Sequence, residues 1–123
     1  MAIVHHSNYI RWFEEARLDL LTKLGINYSD LEKEGILIPV VDVSCKYLVS
    51  AKYGDTVSIL PVMTEYSGVK LCFRYEVRNT ANGTLLATGS STHCFLNTAR
   101  RPISLKRQAS ALHQLFTEMA DTE

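Results

Sequence analysis

The chain has 123 residues, of which 46% are hydrophobic and 21% charged, a balance that builds one folded domain over residues 1–123 and excludes a disordered chain. Thirteen basic residues cancel thirteen acidic ones, so net charge gives no reason to expect nucleic acid or an anionic membrane surface as a partner. No apolar run approaches the roughly 20 residues of a membrane span and no basic-then-apolar leader opens the chain, so a cytoplasmic protein is expected.

The richest segment comes first. An apolar pair, Ile3-Val4, runs into His5-His6, and Ser7 or Asn8 is suited to cap a helix by accepting a free backbone N–H. The period then predicts a helix from Asn8 to Leu24. Tyr9, Phe13, Ala16, Leu20 and Leu24 make one apolar stripe, widened by Ile10, Trp12 and Leu21, and Gly25 stops it. Glu14, Glu15 and Arg17 read as a helix salt-bridge set. A helix start gathers unpaired N–H groups and the positive end of the helix dipole, so it suits a carbonyl oxygen or an anion. Two histidines beside such a start are candidates for an active site.

Ser29-Asp30-Leu31-Glu32 fits a capping box for one short helical turn, closed by Gly35. The period then changes. Ile36 to Leu48 reads as a strand, with Val41, Val43 and Cys45 alternating against Asp42, Ser44 and Lys46. Thr56–Glu65 and Val69–Arg78 follow as strands, joined by Tyr66-Ser67-Gly68 into a hairpin. Asn82-Gly83 is the strongest turn signal in the chain and leads into a fourth strand, Leu85–Asn97. Leu105–Met119 closes the chain as an amphipathic helix through Leu105, Ala109, Leu112, Leu115 or Phe116, and Met119. A long apolar helix followed by consecutive antiparallel strands predicts an α+β fold with the sheet wrapped around that helix.

The remaining chemistry-bearing residues have plain explanations. Cys45, Cys72 and Cys94 lie in apolar strand settings without metal spacing and read as reduced core cysteines. His93 reads as a partnered sheet histidine and His113 as a surface histidine, while Asp42, Asp55 and Glu65 sit in or beside strands as turn and face residues. No His-x-x-x-His pair, Gly-x-Ser-x-Gly, P-loop or Gly-x-Gly-x-x-Gly is present, which argues against a metal centre, a serine hydrolase and a nucleotide enzyme of those types. Arg100-Arg101-Pro102, with Lys106 and Arg107, is the densest basic cluster; it reads equally as a solvated turn and as a phosphate clamp.

The run from Ile3 through His5, His6, Ser7, Asn8 and Tyr9 to Arg11-Trp12-Phe13-Glu14-Glu15-Ala16-Arg17 strongly resembles the first-helix signature of hot-dog-fold acyl-CoA thioesterases of the 4-hydroxybenzoyl-CoA thioesterase type. The resemblance continues through Tyr53-Gly54-Asp55, Asn82-Gly83 and Ala87-Thr88-Gly89 to Arg101-Pro102. It implies hydrolysis of an acyl-CoA thioester to a carboxylic acid and coenzyme A without a metal or redox cofactor, by a homodimer or homotetramer whose sheets pair edge to edge around the active sites. The backbone N–H of His6 would bind the thioester carbonyl, with His5 and His6 lining the reacting end. Asn8 and Tyr9 would fix the helix start, and Arg100 and Arg101 would meet the phosphates or pantetheine arm of coenzyme A. The family's catalytic aspartate would fall before Met1, together with its first strand. The alternative is therefore a catalytically impaired module that binds an acyl-CoA or an acyl carrier protein. A hydratase or dehydratase would want a histidine with an acidic partner in a different motif.

Overall fold

The computed structural model describes residues 6–49 and 54–121. Helix α1 spans His6–Lys23 and α2 Tyr28–Lys33; strands β1 Val40–Tyr47, β2 Val57–Tyr66, β3 Lys70–Asn79 and β4 Leu85–Cys94 follow; α3 Leu105–Gln108 and α4 Ser110–Asp121 end the chain. The strands form one antiparallel sheet in the order β1-β4-β3-β2. This is the expected α+β architecture, with both hairpins where the turn residues put them.

Alternation decides which face of the sheet is buried. On β3, Leu71, Phe73, Tyr75 and Val77 are buried, while Lys70 before them and Arg74 among them are exposed. On β4, Ala87, Gly89, Ser91 and His93 face the same way. Phe13 of α1, Phe73, Phe95 and Phe116 of α4 are each almost wholly buried against this face, and each contributes about 2 kcal/mol by leaving water. Gly89 lets α1 come down close: a Cβ there would run into the Phe13 ring and stand 2.9 Å from the Ser44 carbonyl oxygen. Gly25 takes a left-handed φ of +84°, which a side chain would resist, and so ends α1.

Several boundaries depart from the sequence reading. Helix α1 begins at His6, so Ser7 and Asn8 lie inside its first turn, and the expectation for His5 lies outside the described residues. Leu24 and Ile10 of the expected stripe are exposed, and Leu21 is buried. The N-cap of α2 is Asn27, whose side chain accepts the Ser29 N–H at 2.9 Å, rather than Ser29. Ordered pairing in β1 starts at Val40, although Leu37 forms an isolated bridge with Leu96. The C-terminal helix is interrupted at Ala109, whose φ of −152° and ψ of 73° are not helical. Its two pieces dock differently: the Leu105 N–H is donated to the Gly68 carbonyl, whereas α4 packs Phe116 against Tyr66 and Phe95. One straight helix would satisfy only one of these attachments.

Candidate active site

Helix α1 packs on the sheet, with Phe13 against Gly89 and Tyr75, and its start lies at the Tyr47 end of β1. Tyr9 is buried and meets Tyr47 edge to face at 4.9 Å; Trp12 leans on Tyr9 at the same separation. These three rings form a wall directly below the first turn. Because α1 starts at His6, the N–H groups of His6, Ser7 and Asn8 precede the first residue with an acceptor inside the helix. His5 lies outside the described residues, as do the side chains of His6 and Asn8. What the described backbone offers here is a set of helix-start donors above an aromatic wall, a setting that favours a developing oxyanion.

Beside the wall, strand β1 is an open edge. All its residues are exposed except the half-buried Cys45, and Val41, Val40 and Val43 remain 62%, 50% and 38% accessible. Burial pushes the Cys45 thiol up from its ordinary range, against a smaller opposing effect of the Tyr47 hydroxyl. Cys45 is therefore a thiol and not a thiolate nucleophile.

The structure separates the two halves of the expected site within one chain. Asn97, Arg100 and Arg101 follow β4 beyond the Val40–His93 end of the ladder, at the far end from Tyr47 and Ala87. An eight-residue strand makes that span about 25 Å. Both arginines are exposed, and neither joins the three ion pairs found among the described residues, Lys23–Asp19, Lys70–Glu65 and Arg78–Glu76. Arg100 sits at φ 62°, an uncommon conformation for a residue with a side chain. Asn97 holds it there: its carbonyl accepts the Arg100 N–H at 2.9 Å and its side chain the Arg101 N–H at 3.0 Å. The result is a fixed turn presenting two guanidinium groups outward.

Other candidates fall into structural roles. Glu65 is exposed and paired with Lys70 at 3.2 Å, and Asp42 lies on the exposed edge strand. His113 is half-buried, and its Nδ1 lies 2.7 Å from the Tyr66 hydroxyl, so it pins α4 to the sheet and is not a surface histidine. His93 is partnered as expected, with Ser91. Arg17 leaves the expected salt-bridge set and turns inward, giving a long 3.5 Å hydrogen bond to the Tyr75 hydroxyl. That inward turn was missed because a helix period does not distinguish a flank from a face when the side chain is long. Among the described residues no group of three or more His, Cys, Asp or Glu is placed to hold a metal ion, and no helix is long and apolar enough to cross a membrane.

A family model described as "Thioesterase-like superfamily" matches residues 1–118. The chain belongs to that superfamily. It is a hot-dog-fold thioester hydrolase of the acyl-CoA thioesterase kind, as the first-helix signature implied. The "Putative acyl-CoA thioesterase YneP" of Bacillus subtilis is 34% identical over 116 residues, covering 94% of this chain and 84% of YneP. Among solved structures, a DHNA-CoA thioesterase from Staphylococcus aureus superposes with a TM-score of 0.92 at 34% identity, covering 98% of this chain and 81% of that one. A hypothetical protein from Thermus thermophilus superposes with a TM-score of 0.86 at 29% identity, covering 97% and 88%.

Proposed function

We propose that this thioesterase binds the thioester carbonyl at the start of α1, with the His6 backbone N–H as the donor to the oxygen that becomes negative as the carbonyl is attacked. The observation that carries the reading is that the first turn of α1, whose N–H groups precede the helix's own acceptors, meets the Tyr9–Trp12–Tyr47 rings. A donor already in place needs no reorganisation when charge develops, and one such donor is worth roughly 3–4 kcal/mol of barrier. His5 and the His6 side chain line the reacting end, and Asn8 and Tyr9 hold the first turn.

The acyl group in this reading is a flat aromatic one. Tyr47 is 41% accessible and Trp12 half-buried beside the buried Tyr9, so these two rings offer edge and face contacts that a ring uses better than an alkyl chain does, and the Staphylococcus aureus relative is named a DHNA-CoA thioesterase. The second element is a partner copy. Among the described residues β1 is the end strand of the sheet and exposes its valines, which a second β1 running antiparallel would cover. Such pairing lays the Val40 end of one protomer beside the Tyr47 end of its partner. Arg100 and Arg101 then stand next to the partner's helix start, in position for the phosphates of coenzyme A. Cys45, Cys72 and Cys94 are free thiols, which fits a reducing cytoplasm.

The test is thiol release from a panel of aromatic, short-chain and long-chain acyl-CoAs and acyl carrier proteins. Turnover of the aryl-CoAs with the largest kcat/KM supports the reading. Tight binding without thiol release from any of them would replace the enzyme with a binding module.

A further inference from the structure

Three polar side chains lie on the sheet face that should be all apolar. Tyr75 and His93 are fully buried and Ser91 is 3% accessible. Tyr75 Oη lies 2.6 Å from Ser91 Oγ, and Ser91 Oγ lies 2.8 Å from His93 Nε2. The direction of these bonds follows from counting protons. The Arg17 guanidinium only donates, so Tyr75 accepts from it, and the arrangement that leaves no hydroxyl proton without an acceptor has Tyr75 donating to Ser91. Ser91 then donates to Nε2, which leaves the imidazole proton on Nδ1. Among the described residues no group meets that Nδ1 in good hydrogen-bond geometry, and the Pro39 carbonyl offsets the loss only in part. The imidazole is correspondingly neutral: burial, and secondarily the Arg17 charge, push its pKa down to about 4, against a smaller opposing effect of the Pro39 carbonyl. An apolar trio would pack there without that poorly paired N–H.

What this chain of bonds holds is the tyrosine on which α1 is seated. Phe13 stacks on the Tyr75 ring at 4.5 Å and 10° while resting on Gly89, and Arg17, one turn further along, reaches the Tyr75 hydroxyl. Helix and sheet therefore meet at both ends of one side chain. From Phe13 to His6 the helix axis runs about 10 Å, so a tilt of about 5° at Tyr75 moves the helix start by about 1 Å. An oxyanion donor tolerates about half of that.

We infer that Tyr75, Ser91 and His93 are positioning residues that set the tilt of α1 and thereby the placement of the His6 N–H. The inference rests on the oxyanion role proposed above for that group. Tyr75→Phe keeps the stacked ring and deletes the hydroxyl, Ser91→Ala breaks the link, and His93→Gln keeps an acceptor where Nε2 stands. Two readouts are compared with the unsubstituted enzyme: kcat and KM for acyl-CoA, and the backbone amide NMR signals of residues 6–9. Y75F and S91A should lower kcat about tenfold or more with KM within about twofold, and should shift those amides. H93Q should keep kcat within about threefold and leave the amides in place. Unmoved amides in Y75F and S91A, or a kcat equal to that of the unsubstituted enzyme, would overturn the inference. If the unsubstituted enzyme releases no thiol, the functional reading fails, and the amide shifts alone decide whether this chain sets the helix.

Discussion

Gly89 carries no side chain because the Phe13 ring occupies the space where one would stand. Gly89→Ala should destabilise the fold by about 2–3 kcal/mol, since the ring could swing aside but the Ser44 carbonyl could not. A lowered urea midpoint with an unchanged slope checks this. His93 gives a second prediction at this scale, on pH. Its pKa falls from 6.5 to about 4 on folding, so the unfolded chain binds the proton more readily. The stabilisation is fully present above about pH 6.5 and is lost as pH falls from there towards 4, by a few kcal/mol in all. Urea midpoints measured from pH 7.5 to 4.5 should decline more steeply in the parent than in His93→Gln, which carries no titrating ring. Parallel slopes would contradict a buried neutral histidine. Neither residue announces its role in the sequence: Ala87-Thr88-Gly89 reads as strand, and a lone histidine in a strand does not say which of its nitrogens has a partner.

At the scale of elements, the legible features were those written in local periodicity. The two-residue alternation of β3 and β4, the hairpin turns and most of the apolar stripe of α1 survive in the structure to within a few residues. The misses have tertiary causes. Ala109 is a strong helix former, yet it breaks the last helix because Leu105 is anchored to the β2–β3 turn and Phe116 to Tyr66. Arg17 looked like a partner for Glu14 and Glu15, but the inward Tyr75 hydroxyl takes it. The alternation of β1 predicted a buried valine face, and the described chain leaves it open. That exposure yields a prediction: Val41→Lys, a charge on the edge proposed to pair, should weaken self-association with little change in the fold. Sedimentation velocity should show the unsubstituted protein as a dimer or larger and the variant shifted towards monomer. An unchanged distribution would place the interface elsewhere.

At the scale of the whole molecule, the fold could be read because one dense block, His5 to Arg17, together with the strand order, belongs to a single architecture. The site was legible only in part. The helix start and its histidines are contiguous in sequence, so their grouping needed no structure. Arg100 and Arg101 are about 25 Å away along the sheet in the same chain, and in the proposed reading an antiparallel partner brings this turn to the helix start. No single-chain pattern records that geometry. The central claim is that the His6 backbone N–H, and not its imidazole, stabilises the reacting carbonyl. Proline suits the first helical position while lacking an N–H, so His6→Pro removes the donor and keeps the helix; His6→Ala removes the ring and keeps the donor. Steady-state kcat on an aryl-CoA should fall about 100-fold or more in H6P and stay within about fivefold in H6A, with melting temperatures close to that of the parent. An H6P enzyme as active as H6A would contradict the account.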